Sequence, residues 1–221
     1  MSKLKAILFD MDGVIVDTEP LHQKAYHRMF GEVGIQVSNE LYRSFTGQST
    51  LNICKQLCDR YELAQAPEEL VDIKRKYFKL IFTKDDDLQL LDGVLSLIQD
   101  YKANGLTLIV ASSASMPNIN RVFDRFDLNR YFSGKLSGAD LKESKPHPEI
   151  FIKAAQAANA NKNECVVIED STNGIKAAHA AGIFCVGYDS KHSTGQDYSL
   201  ANIVANDYEQ IRYNQLMRHF I

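Results

Sequence analysis

No hydrophobic run in this 221-residue chain approaches the roughly 20 apolar residues that a membrane-spanning helix needs. The longest, Leu106 to Ala111, is interrupted by Thr107. At the N-terminus, Lys3 and Lys5 are followed only by Ala6 to Phe9 before Asp10 intervenes, too short a stretch for a secretory signal. Positive charge is not in excess, since 25 Lys and Arg against 28 Asp and Glu give a net charge of −3. That balance argues against the basic footprint of a nucleic-acid-binding surface and the polybasic cluster of a protein held on anionic lipid. The four cysteines (Cys54, Cys58, Cys165, Cys185) have neither the density of a disulfide framework nor the spacing of a zinc site. Cys54 and Cys58, four apart on an expected helix, read as small packing residues. Internal repeats, low-complexity tracts and a long apolar surface stripe are also missing. The expectation is a soluble, cytoplasmic monomer with no nucleic-acid or membrane partner.

What is present is an ordinary globular composition, 45% hydrophobic and 24% charged, in a chain long enough for one to two domains. Lys5 to Phe9, Leu106 to Ala111, Cys165 to Ile168, Ile183 to Val186 and, more weakly, Ile203 to Ala205 read as buried strands. Helical patterns run over Val94 to Ala103, Met116 to Phe126, Pro148 to Ala158 and Asn173 to Ala181, the last closed by Gly182. Such alternation predicts an α/β fold, a doubly wound parallel sheet with helices on both faces. Residues 18–87 break the pattern. Pro20 suits a first helical turn, Leu21, Ala25, Tyr26, Met29, Phe30 and Val33 recur at helical spacing, and Gly34 closes the helix. Further helices are expected over Glu40 to Phe45, Leu51 to Tyr61 and Pro67 to Phe82, with Asp85 to Asp87 as a solvated hinge. The chain is thus expected to divide into an α/β core, 1–17 and 88–221, and an inserted all-helical module, 18–87.

Four short segments carry the chemistry. Asp10 and Asp12 follow directly on the first strand, two residues apart, so period-2 geometry aims both toward the sheet's C-terminal edge, where ligands bind in such sheets. Carboxylates this close repel unless a cation or a shared proton intervenes. Gly13 permits a tight turn that could bring main-chain N–H groups toward an anion. Glu169 and Asp170 again follow a strand, and with Asp10 and Asp12 they would make an all-oxygen site suited to Mg²⁺. Ser112 and Ser113 close a strand and precede a helix, a ready anion cradle. Lys145 stands between Ser144 and Pro146 as a fixed cation for phosphoryl charge. Each segment also has a plain structural reading: Asp10 to Gly13 as a polar turn, Ser112 and Asp170 or Ser171 as helix caps, Lys145 as a loop lysine.

In this order the segments resemble the haloacid dehalogenase superfamily, more narrowly its β-phosphoglucomutase-like phosphatases and mutases. The match rests on Phe9-Asp-Met-Asp-Gly-Val-Ile-Val-Asp-Thr18, Val110-Ala-Ser-Ser113, Ser144-Lys-Pro-His-Pro-Glu-Ile-Phe151 and Val167-Ile-Glu-Asp-Ser-Thr-Asn-Gly174. The resemblance implies a Rossmann-like core under a helical cap. It casts Asp10 as the nucleophile forming an aspartyl-phosphate and Asp12 as the acid and base. Mg²⁺ would be held by Asp10, the Asp12 carbonyl and Asp170, with Glu169 direct or indirect. Ser112, the amides that follow it and Lys145 would balance phosphoryl charge. His22 on the first cap helix and the loop Thr46, Gly47, Gln48, Ser49 and Thr50 would contact substrate. The family's sugar-phosphate mutases carry an arginine where this chain has Thr50, and Lys74, Arg75 or Lys76 would either stand in for the mutases' second cap cation or, as the run reads by itself, form a basic solvated helix face. The implied activity is Mg²⁺-dependent hydrolysis of a small phosphorylated metabolite, a sugar phosphate. A β-phosphoglucomutase-type mutase or a pyrophosphatase comes next, and a phospho-accepting signalling domain is the alternative of another class.

Overall fold

A computed structural model describes residues 3–45, 48–191 and 194–220. Strands Ala6–Phe9 (β1), Thr107–Ser112 (β2), Gly134–Ser137 (β3), Cys165–Glu169 (β4), Phe184–Tyr188 (β5) and Ile203–Ala205 (β6) form one parallel sheet in the order β3-β2-β1-β4-β5-β6. The order reverses at β1, whose Phe9 lies level with Val110 on one side and Ile168 on the other. Asp10, Ser112 and Glu169 therefore emerge from three adjacent strands at the same edge, the crevice where open α/β sheets bind ligands.

Side-chain alternation divides the sheet into two apolar faces. Ile7, Phe9, Leu108, Val110, Val166 and Ile168 point to one, against helices Val94–Ala103 (α5) and Met116–Arg125 (α6). Ala6, Leu8, Ile109, Ala111, Cys165 and Val167 point to the other, against Glu149–Ala157 (α7) and Thr172–Ala181 (α8). Burial on both faces explains why these strands read as continuous apolar runs. Strand β3 was not foreseen. Its sequence, Gly-Lys-Leu-Ser, has one apolar residue, and as an edge strand it is only half covered.

Between β1 and α5 stand Glu19–Val33 (α1), Asn39–Arg43 (α2), Thr50–Tyr61 (α3) and Pro67–Lys84 (α4). They enclose a small core of their own, including Met29, Phe30, Phe45, Ile53, Leu57 and Leu70. Cys54 and Cys58 lie buried in it as free thiols, as packing residues should. Leu21 and Ala25 of α1 and Phe78 and Phe82 of α4 join instead the apolar cluster beneath the sheet. Among the described residues no helix is long and apolar enough to cross a membrane.

Candidate active site

A cleft of about 260 Å³ opens where the helical insert faces the C-terminal edge of the sheet. The core supplies Asp10, Asp12, Ser112, Ser113 and Asp170 to its wall, and the insert supplies Glu19, His22, Tyr26, Tyr42, Thr50 and Lys74.

Asp10 is buried at the end of β1, its amide donating to the Ile168 carbonyl at 2.9 Å. Lys145 lies beneath the acids: its Nζ donates to Asp10 Oδ1 at 2.5 Å, Glu169 Oε1 at 2.7 Å and the Ala111 carbonyl at 3.0 Å. Those three bonds use all the protons of an ammonium. Lys145 thus ties Asp10 to Glu169 and to the end of β2, with every ammonium proton engaged. Burial alone would lower its pKa, but Asp10 and Glu169 raise it above the usual lysine value. Burial pushes Asp10 up to about 7 against the pull of Lys145, with Glu169 and Asp12 adding to the rise. Three neighbouring acids and one lysine leave the site short of positive charge.

Asp12 lines the same cleft. Burial raises it to about 6, while a hydrogen bond from the Thr18 hydroxyl and the charge of Lys74 oppose the rise. Thr18 stands at the N-cap position of α1 yet caps nothing, its hydroxyl being given to Asp12. Gly13 makes the expected turn with φ of 78°, but its N–H donates to the Val16 carbonyl at 2.8 Å and is not offered to an anion. Ser112 Oγ accepts the Ala114 amide at 3.1 Å, which leaves the hydroxyl proton to be donated into the cleft. Ser115, three residues later, occupies the N-cap of α6.

At the end of β4 the two acids separate in role. Glu169 spends Oε1 on Lys145, and its Oε2 accepts from the Ser171 amide at 2.8 Å and the Ser171 hydroxyl at 2.9 Å. Gly174 is required there, because a Cβ at that position would fall 1.7 Å from Glu169 Oε1. The cap of α8 is Ser171, which accepts from the Gly174 amide at 3.1 Å, so Asp170 is not consumed by capping.

The donor set tests a divalent cation. Asp10, Asp12, Glu169 and Asp170 bring only hard oxygens, but among the described residues no three His, Cys, Asp or Glu side chains form a ready-made cluster. Both Glu169 oxygens accept hydrogen bonds, from Lys145 and from Ser171, while Asp10, Asp12 and Asp170 also line the cleft. Two carboxylates with room for water and a main-chain oxygen suit Mg²⁺, which keeps several waters.

The insert's residues divide likewise. His22 stacks on Phe78 at 4.2 Å, and its Nδ1 lies 2.7 Å from Lys74 Nζ. An ammonium can only donate, so Nδ1 accepts and the imidazole proton sits on Nε2. Burial, then Lys74, holds His22 well below the usual histidine pKa. Lys74 overturns its solvated-face reading: it is 2% exposed, over the rings of Tyr26 and Phe78, with a pKa lowered to about 8 by burial. Arg75 and Lys76 remain exposed. Lys74 was legible at helical spacing from Leu70 and Phe78, both buried. Thr50 lines the cleft, hydrogen-bonded to Tyr26. Gln48 also reaches it, but its amide is tied to the Ser44 carbonyl and Gln56. Ser49 is the N-cap of α3 and does not line the cleft, while Thr46 and Gly47 lie outside the described residues.

Known proteins resemble this chain in sequence and in fold. The chain is 31% identical over 180 residues to a phosphorylated carbohydrates phosphatase of Thermotoga maritima, covering 81% of this chain and 82% of that one. A β-phosphoglucomutase from Clostridium difficile superposes with a TM-score of 0.85 at 26% identity, over 98% of this chain and 97% of that one. CbbY from Rhodobacter sphaeroides, solved with phosphate, gives 0.84 at 25% identity over 94% and 96%. The profile of the haloacid dehalogenase-like hydrolases matches residues 7–188, and with the acidic edge and its buried lysine in place the chain belongs to that family.

Proposed function

We propose that this protein is a Mg²⁺-dependent phosphatase of a small phosphorylated carbohydrate, working through an aspartyl-phosphate on Asp10. One observation carries the reading: Asp10 is fixed by a fully engaged Lys145 in the same cleft as Asp12 and Ser112. The similarity to the Thermotoga maritima phosphatase supports the substrate class. In this reading the core is 1–17 with 88–221 and the cap is 18–87.

An Asp10 oxygen attacks phosphorus, and the bond from phosphorus to the substrate oxygen breaks. Asp12, raised to about 6, gives its proton to the departing alkoxide, then takes one from the water that attacks the phospho-aspartate. That second displacement releases phosphate and regenerates Asp10. The Ser112 hydroxyl donates to an equatorial phosphoryl oxygen. Lys145 holds Asp10 in line, and Lys74 keeps His22 neutral with its Nε2–H available to substrate. A bound Mg²⁺, held by Asp10 and Asp170, would supply the positive charge the site lacks and lower the pKa of Asp10.

A mutase is the second reading, favoured by the buried Lys74 in the cleft wall, a cap cation that could serve a second phosphate. Thr50 weighs against it, since a hydroxyl replaces neither the charge nor the fork of an arginine. The deciding experiment follows free phosphate and isomerised product from a panel of sugar phosphates, including β-glucose 1-phosphate, with Mg²⁺. We expect phosphate release, reduced by several orders of magnitude in a folded Asp10→Asn variant. Residual activity within tenfold of the parent removes Asp10 as nucleophile, and isomerisation without release establishes the mutase.

A further inference from the structure

Phosphoryl chemistry uses only the sheet end of the cleft. At the other end, Tyr26, Tyr42 and Phe45 form an aromatic wall, with ring centroids 5.9 Å apart for Tyr26 and Tyr42, 6.2 Å for Tyr26 and Phe45 and 5.9 Å for Tyr42 and Phe45. Glu19 stands beside it, the first residue of α1 and part of the cleft lining. The Tyr42 hydroxyl donates to Glu19 Oε1 at 2.7 Å, and the Glu19 amide donates to Asp17 Oδ1 at 3.1 Å. Backbone and side chain are thus held from two directions. Among the described residues no hydrogen bond reaches Glu19 Oε2.

We infer that Glu19, positioned by Tyr42, is a specificity-determining residue that accepts hydrogen bonds from hydroxyl groups of the substrate's carbon chain. The inference rests on the phosphatase reading and deepens it. Burial raises the Glu19 carboxyl to about 7 against the pull of the Tyr42 hydrogen bond. In its ionised form, which prevails above that pH, it accepts and never donates, so that a bond from a neutral hydroxyl to it is charge-assisted. Tyr and Phe rings offer flat apolar area for the C–H faces of a sugar. An acceptor beside a flat apolar surface recognises a polyhydroxylated chain and gives nothing to a plain alkyl ester. Lys74 cannot do this work, because an ammonium only donates and offers no acceptor to a hydroxyl proton. An acid in a first helical turn also favours the helix, but that effect would act on all substrates alike.

The experiment compares kcat/KM for glucose 6-phosphate, sorbitol 6-phosphate and ribose 5-phosphate with that for n-hexyl phosphate, which carries no hydroxyls. Wild type, Glu19→Gln and Tyr42→Phe are measured with saturating Mg²⁺. In wild type the best sugar phosphate should exceed hexyl phosphate. The ratio of the two should fall by about tenfold or more in Glu19→Gln and by a smaller factor in Tyr42→Phe, chiefly through KM. A ratio unchanged within twofold, or a wild type that does not prefer the hydroxylated esters, overturns the role of Glu19. Failure of wild type to release phosphate from any ester overturns the phosphatase reading instead.

Discussion

Asp10 and Asp12 share one electrostatic problem, and its sign makes a prediction about the metal-free protein. Burial raises Asp10 from 3.8 to about 7 and Asp12 from 3.8 to about 6. A carboxyl whose folded pKa lies above its unfolded value contributes stability at low pH that is lost as pH rises toward the folded value. Lys145, raised above 10.5, holds its contribution throughout this range. In EDTA, therefore, thermal stability should decline as pH rises from about 4 to about 7 through these two groups. Added Mg²⁺ should raise Tm more at pH 8 than at pH 5, because binding requires the ionised carboxylates. A differential scanning fluorimetry series over pH, with and without Mg²⁺, tests both signs, and equal Mg²⁺ shifts at the two pH values would contradict them.

Among the elements, α1 and α4 pack extensively on each other and both line the cleft. Their shared contents are a stacked His22 and Phe78 and a buried Lys74 whose ammonium bonds to the imidazole. His22 is depressed first by burial and second by Lys74, so Lys74→Met should raise the His22 pKa toward 6.5 without restoring it fully. Methionine matches the lysine stem in length and desolvates no charge, so fold stability should change by less than about 1.5 kcal/mol. An NMR titration of the His22 ring protons reads the first effect and chemical denaturation the second. The surprise at this scale was Lys74 itself, since three consecutive basic residues look alike along the chain and differ only in which face of α4 meets α1.

Across the whole molecule, insert and core are tied beside the buried Lys145. Asn52 of α3 donates to Ser144 Oγ at 2.6 Å, next to Lys145. An exposed hydrogen bond is worth about 0.5–1.5 kcal/mol net, enough to change a closed-to-open ratio by up to roughly tenfold while leaving global stability nearly untouched. Asn52→Ala should therefore lower kcat/KM by less than tenfold, increase amide exchange across residues 142–148 and shift Tm by less than about 3 °C. Unaltered exchange in that segment would show that the contact does not hold the two parts together.

The division between what was legible along the chain and what was not follows from the range of the forces involved. Apolar period, strand-end acids and helix caps are local, and from them come five of the strands, the helical insert and the gathering of Asp10, Asp12, Ser112 and Asp170 at one sheet edge. Strand β3 escaped because an edge strand buries too little to require an apolar sequence. Which groups remain available was decided only by packing. Lys145 and Glu169 exhaust their hydrogen bonds on each other and their neighbours, Ser49 and Ser171 are taken by helix ends, and Thr18 is diverted to Asp12. A residue's type states what bonds it can make, but only the fold, by choosing its neighbours and excluding water, determines which of those bonds are left for a substrate.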